Sequence, residues 1–263
     1  MKKLFFGLMC IFAFIGLVMV VGFVAIQLRW TKTEGVVDAQ HDYFKEKIAK
    51  NLEWEKSEEW KALKVAILKD KEDILKASES SGVGTRLIIA PLVVEQLRLY
   101  ESNRELFKEF FSPLKMLGSQ NQFSWGVMGI KEESARQIEQ NLKNANSPFY
   151  LGPAYEHILD FTSDSPDSER FQRLTDDASR YYSYLYAGLY EKQLIAQWDK
   201  AGIPIHDRPE IVFTLFNIGF SNSRPHPNPS VGGAEIRFAG KEYSFGGLAF
   251  EFYYSDELPE FEK

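Results

Sequence analysis

Cysteine is almost missing from this sequence: Cys10 is the only one in 263 residues. An intramolecular disulfide is excluded, and so is a cysteine-built zinc cluster. Histidine is sparse as well. His41, His157, His206 and His226 are scattered without an i,i+4 helical pair, so no metal site is expected. A basic surplus is absent, with 31 Lys and Arg against 37 Asp and Glu and a net charge of −6, so nucleic acid is not expected as a partner. No Walker lysine motif occurs: Gly233 to Lys241 has the wrong spacing and Glu242 follows it. Gly82-x-Gly84 lacks a third glycine and follows no strand. Nucleotide binding therefore finds no support, and no cofactor is expected. There is no internal repeat. The composition is 44% hydrophobic and 26% charged, which excludes a wholly disordered or collagen-like chain.

Charge is also missing from Phe5 to Leu28, a run of 24 residues. As a helix this run would span roughly 36 Å, enough to cross a bilayer core of about 30 Å. Lys2 and Lys3 precede it and place the N-terminus in the cytoplasm, although Arg29 and Lys32 on the far side weaken the asymmetry. A secretory signal peptide is the competing reading. Its apolar stretch would be shorter, about 7–15 residues, and would end at small residues. The run is longer than that and lacks such a site, so an uncleaved anchor is expected over 1–30. The chain then reads as a single-pass protein of the inner (cytoplasmic) membrane, with the rest of the chain on the periplasmic or extracellular side. Beyond Arg29 the acidic excess grows from six to nine residues, so charge would not draw that domain to an anionic membrane surface.

The rest reads as mainly α. Residues 31–71 are expected to form a linker and a Lys- and Glu-rich helical stalk or packing helices. Phe44, Ile48 and Leu52, then Trp60, Leu63, Ile67 and Ile74, recur at helical spacing, and Ser57 followed by Glu58 and Glu59 reads as an N-cap. The main domain is expected over 72–263. Thr85 can cap a helix running to about Phe111, whose start, Leu87 to Val94, is apolar all round and therefore buried. Ser112–Gly129 reads as loop, Lys131–Lys143 as an amphipathic helix, and Asn144–Asp167 mostly as loop. Ser168–Ala201 reads as one long helix and Pro209–Phe220 as another. Glu235–Phe238 and Glu242–Phe245 alternate like a small hairpin around Ala239-Gly240.

Glu95 ends the apolar run. A carboxyl held where its charge is poorly solvated keeps its proton and can donate it near neutral pH, by the logic the lysozyme acid exemplifies. The plain alternative is that Glu95 is the first exposed residue of a helix leaving the core. Three ordered segments bear on that choice. Ile74-Leu75-Lys76-Ala77 leads to Gly82-Val83-Gly84 and then to Leu87–Glu95. Ser124-Trp125-Gly126-Val127-Met128-Gly129-Ile130-Lys131 follows, with Ser134-Ala135 after it. Leu215-Phe216-Asn217-Ile218-Gly219 comes last, preceded by a tyrosine-rich helix with Ala187-Gly188. Over roughly residues 72–222 this order resembles the bacterial lytic transglycosylases of the lysozyme-like superfamily. The matched patterns there are an apolar helix ending in the catalytic Glu, a Ser-x-Gly-x-Met-Gln-Ile segment, and Ala-Tyr-Asn-Ala-Gly. The spacing from Glu95 to Ser124 is closer to goose-type lysozymes.

The resemblance implies a lysozyme-like helical domain with a small C-terminal hairpin, acting on peptidoglycan glycan strands. Glu95 would be acid and then base in cleaving the β-1,4 bond between N-acetylmuramic acid and N-acetylglucosamine. Ser124, Gly126, Met128 and Gly129 would line the cleft, and Phe216 and Asn217 would flank the sugar. Tyr182, Tyr186 and Tyr190 recur at i,i+4,i+8 and read equally as a sugar-stacking stripe or as core. The sequence departs from the family where Gln96 replaces the Ser after the Glu, Gly129 replaces a Gln, and Phe216 replaces a Tyr. Between Gln96 and Phe123 there is no Asp to activate a water, and Glu101, Glu105 and Glu109 read as a solvated face. A lone acid suits lytic transglycosylation, in which the sugar's own C6 hydroxyl attacks. The alternatives are a non-catalytic envelope protein of the same fold that binds glycan or scaffolds, and a hydrolytic muramidase whose second acid is Glu156 or Asp160.

Overall fold

A computed structural model describes residues 16–17, 52–102 and 125–261, with 101–102 as backbone only. The chain divides into two compact units, Met1–Lys47 and Ile48–Lys263. Apart from 16–17, the expected anchor at 5–28 lies outside the described residues, as do the linker, the Phe44–Ile48 stretch, Glu105, Glu109 and Ser124. Among the described residues no helix is long and apolar enough to cross a membrane. Those residues form eight α-helices and one two-stranded antiparallel sheet, the mainly α class with a small hairpin that was expected.

Helix α1 (Glu58–Lys69) begins where its cap predicts. The Ser57 hydroxyl accepts from Trp60 N at 3.1 Å, and Glu58 and Glu59 sit in the first turn, where the helix dipole favours them. Its stripe of Trp60, Leu63 and Ile67 is fully buried. Trp54, in the 3₁₀ turn before it, stands edge-on to Trp60 at 4.9 Å and donates to Glu251 at 3.1 Å. The segment just before residue 72 is therefore built into the same core as the rest of its unit, and the domain boundary expected at 71/72 falls inside that unit. Its charged residues cover only the outward face, and the apolar stripe is covered by a helix far away in the sequence.

Helices α2 (Lys71–Ser81) and α3 (Thr85–Ser102) follow, with Gly82 capping α2 in the left-handed conformation at φ 66°. Ile88, Ile89, Leu92, Val93, Val94 and Leu97 of α3 have no exposed surface, as an all-round apolar helix requires. Helix α4 (Glu132–Lys143) buries Ala135, Ile138 and Leu142. The single helix expected over 168–201 is two, α5 (Pro166–Thr175) and α6 (Tyr181–Lys200). Asp176 accepts from Ala178 N at 2.8 Å, and Asp73 of α2 accepts from Arg180 N at 2.7 Å, so short polar side chains compete successfully with the helix here. Helix α6 lies along α2, where Tyr184 and Arg180 both bond Asp70.

Helix α7 (Pro209–Ile218) stops at Gly219, two residues earlier than expected, and a 3₁₀ turn (Phe220–Asn222) follows. The hairpin strands are β1 (Glu235–Phe238) and β2 (Lys241–Ser244), joined by Ala239 and Gly240, both with positive φ. Helix α8 (Phe245–Tyr254) was not anticipated, because Phe-Gly-Gly reads as a turn. Gly246 is required by close approach: a Cβ there would lie 2.2 Å from the Thr214 hydroxyl of α7. Phe252 of α8 covers Trp54 and Trp60. Arg86 at the start of α3 is 2% exposed and donates to the carbonyls of Phe252, Tyr253, Ser255, Glu257 and Leu258. It thereby satisfies the carbonyls that the end of α8 leaves free.

Candidate active site around Glu95

Eleven residues into α3, Glu95 is 6% exposed although it follows the last residue of the apolar run. Its carboxylate accepts from Arg98 Nη2 at 2.5 Å, one helical turn on. The two side chains differ sharply in environment, with Arg98 41% and Glu95 8% exposed. Burial pushes the Glu95 carboxyl above the ordinary glutamate value of 4.5, against the opposing pull of Arg98 and, more weakly, of Lys131.

The neighbouring Gln96 is also buried. Its amide donates to Val127 O at 2.8 Å and ties α3 to the turn at 125–130. Where the resembled family has a serine, this chain therefore uses a longer amide to hold its second segment in place. The turn is closed by Trp125 N to Ile130 O (2.8 Å) and Ile130 N to Trp125 O (3.2 Å). Gly126, at φ 68°, sits so close to the end of α5 that a Cβ would lie 2.1 Å from Leu174 O and 2.8 Å from Ser183 Oγ. Backbone of this turn is thus wedged between α3 on one side and the α5–α6 junction on the other.

The third segment is reached through Tyr190 of α6. Its ring lies 5.0 Å from Phe216 and 4.3 Å from Phe220. Asn217 Oδ1 accepts from Ala234 N at 2.7 Å, which pins the chain entering the hairpin against α7. Gln96 thus ties the first segment to the 125–130 turn, and Tyr190 of α6 packs on Phe216 and Phe220 of the third.

The other expected site residues fall in different environments. Ser124 lies outside the described residues. Met128 has no exposed surface and Gly126 is buried, so both support the turn instead of lining a cleft; Gly129 remains partly exposed. Phe216 is 7% exposed and packs in the core, and Asn217 has its carbonyl oxygen committed to the loop. Tyr186 is fully buried and donates to Glu139 at 2.6 Å, while the half-buried Tyr182 has the Arg173 guanidinium over its ring at 4.4 Å. The tyrosine stripe is core, because α4 and α5 cover the face it occupies; periodicity reveals a face but not what lies on it.

Other groups were missed. Arg98 reads as part of a solvated face, yet it meets Glu95. Trp125 stands edge-on to Phe171 at 5.2 Å, and Phe171 is 44% exposed, so the turn carries an aromatic pair at the surface. A concavity of about 590 Å³ lies elsewhere, lined by Glu139, Gln140, Asn141, Lys143, Asn144 and Phe161. Among the described residues no group of His, Cys, Asp and Glu could hold a metal ion. Glu191 of α6 is a second buried acid, fully enclosed, with both carboxylate oxygens lacking a hydrogen-bond partner and its pKa pushed well up by burial. Comparison of the chain with protein-family models, with curated proteins and with solved structures found no match.

Proposed function

We propose that this chain is a membrane-anchored peptidoglycan lytic transglycosylase in which Glu95 is the single acid and base. The reading rests on one observation above the others: a buried carboxyl at the end of an apolar helix, fixed beside a glycine turn by the bond from its neighbour Gln96 to Val127 O. The protonated acid donates to the glycosidic oxygen as that bond breaks and positive charge builds on the sugar ring. The resulting carboxylate then takes the proton of the C6 hydroxyl as its oxygen closes on C1, giving a 1,6-anhydro end without a water. Among the described residues no second carboxylate acts on Glu95, which leaves it as the single acid of this reading. The acids considered for a hydrolytic route are committed elsewhere. Glu156 accepts from Tyr150 at 2.5 Å, and Asp160 binds Lys143 at 2.6 Å and His157 at 2.7 Å. The apolar run at 5–28 supports the anchor and the envelope-facing placement.

A second reading is favoured by the Arg98 ion pair. A carboxylate already engaged by a neighbouring guanidinium suits a non-catalytic protein that binds glycan or scaffolds with the same fold. Peptidoglycan embedded in a gel separates the two. Wild type is expected to clear the gel and Glu95→Gln to leave it opaque. Equal clearing by both would remove Glu95 from the chemistry, and retention of glycan without clearing by either would favour the binding protein. Product mass then tests the route, since an anhydro end is one water lighter than a hydrolysed end.

A further inference from the structure

We infer that Arg98 and Lys131 form a carboxylate-binding site beside Glu95, and that an anionic group of the substrate draws Arg98 away from Glu95 as it binds. The inference rests on the glycan-cleaving reading above and names what that site selects. Its starting point is an asymmetric ion pair: Arg98 Nη2 lies 2.5 Å from Glu95 Oε2, with the cation 41% exposed and the anion 8% exposed. Lys131, exposed at the N-cap of α4 where the 125–130 turn ends, adds a second positive charge acting on the same carboxyl. Two cations from separate elements thus converge on one enclosed acid, and both are accessible from solvent.

The ion pair works against the burial that favours the protonated acid. An acid must hold a proton to donate it, and a guanidinium at 2.5 Å favours the deprotonated form. A guanidinium presents five N–H donors in a planar fork, and a single carboxylate oxygen of Glu95 uses little of that fork. An incoming carboxylate offers the accessible face of Arg98 a bidentate partner, and Lys131 adds a second positive charge. With Arg98 engaged there, Glu95 is left in its apolar surroundings, which favour its protonated form, and any proton it takes up comes from solvent. Arg98 is therefore a positioning residue that couples recognition to arming of the acid. The matching substrate is a glycan with a carboxylate close to the scissile bond, either the lactyl carboxylate of the muramoyl sugar or a carboxylate of its peptide stem.

The full chain is tested on three glycans: strands stripped of peptide by an amidase, strands with stems intact, and chitooligosaccharide, which has no carboxylate. Wild type is expected to prefer the carboxylate-bearing strands by roughly tenfold in kcat/KM, the value of one charge-assisted hydrogen bond. Arg98→Gln should bring that ratio close to one and move the basic limb of the kcat/KM pH profile upward, because the free enzyme's acid is then unpaired. Arg98→Lys should retain most of the preference. Preference for stripped strands over stemmed ones assigns the lactyl group, and the reverse assigns the stem. Wild type cleaving all three equally, or Arg98→Gln keeping both the preference and the pH profile, overturns the carboxylate site while the glycan-cleaving reading stands. Wild type cleaving none of them overturns both.

Discussion

At Glu95 two neighbours in the sequence have opposite duties. Gln96 turns inward and fixes the glycine turn, and Arg98 turns outward and holds the acid's charge. The apolar run alone left Glu95 open to being the first exposed residue, and the structure instead encloses it. The identity of its partner was not legible, since in the sequence Arg98 has the same look as the Arg and Glu residues that follow. Met128 and Tyr186 were misplaced for a related reason: an apolar or aromatic residue in a pattern tells which segment matters, and only packing tells whether its side chain faces inward. Gly126 is the most constrained residue of the site. Gly126→Ala would add a Cβ 2.1 Å from Leu174 O at a left-handed φ of 68°. The expected loss is about 2–4 kcal/mol in urea unfolding, together with loss of glycan cleavage as the turn is pushed off α5.

Among the elements, α1, α3, α4 and the hairpin could be read directly. Each carries its own signal, whether a Ser cap with acids in the first turn, an unbroken apolar run, a one-sided stripe, or alternation about Ala-Gly. Helix α8 carries no such signal. Two glycines at its start and aromatics on every side hide its period, and it is a helix because Arg86, Trp54 and Trp60 are waiting for it. The 176–180 break was hidden in the opposite way, since strong helix patterns on both flanks masked a turn held by Asp176 and Asp73. Arg86 is the test of how far α8 depends on tertiary contacts. Arg86→Met keeps length and apolar reach but strips five backbone carbonyls of their donor. A loss of about 3 kcal/mol or more is expected by thermal or urea unfolding. It should come with exposure of tryptophan, read as a red shift in fluorescence as α8 loosens over Trp54 and Trp60.

Across the whole molecule, stability should respond to pH through its enclosed acids. Burial raises the Glu191 pKa well above the ordinary 4.5, and no hydrogen bond offsets it. Below about pH 4.5 the folded and unfolded chains both hold this proton. Above it the unfolded chain releases the proton while the fold retains it, so stability declines as pH rises toward the folded-state value. Glu191→Leu should remove that decline and stabilise the protein at neutral pH by about 1–3 kcal/mol. Urea midpoints at pH 5 and pH 8 check this, and an unchanged difference between the two pH values would contradict it. A different consequence follows from the long reach of Arg86, whose backbone partners lie 166–172 residues further along the chain. During synthesis at roughly 5–20 residues per second, on the order of ten seconds pass before those partners leave the ribosome. For that interval two tryptophans and a guanidinium wait uncovered, so a polypeptide halted before residue 252 would carry a sticky, half-closed body for chaperones and proteases to find.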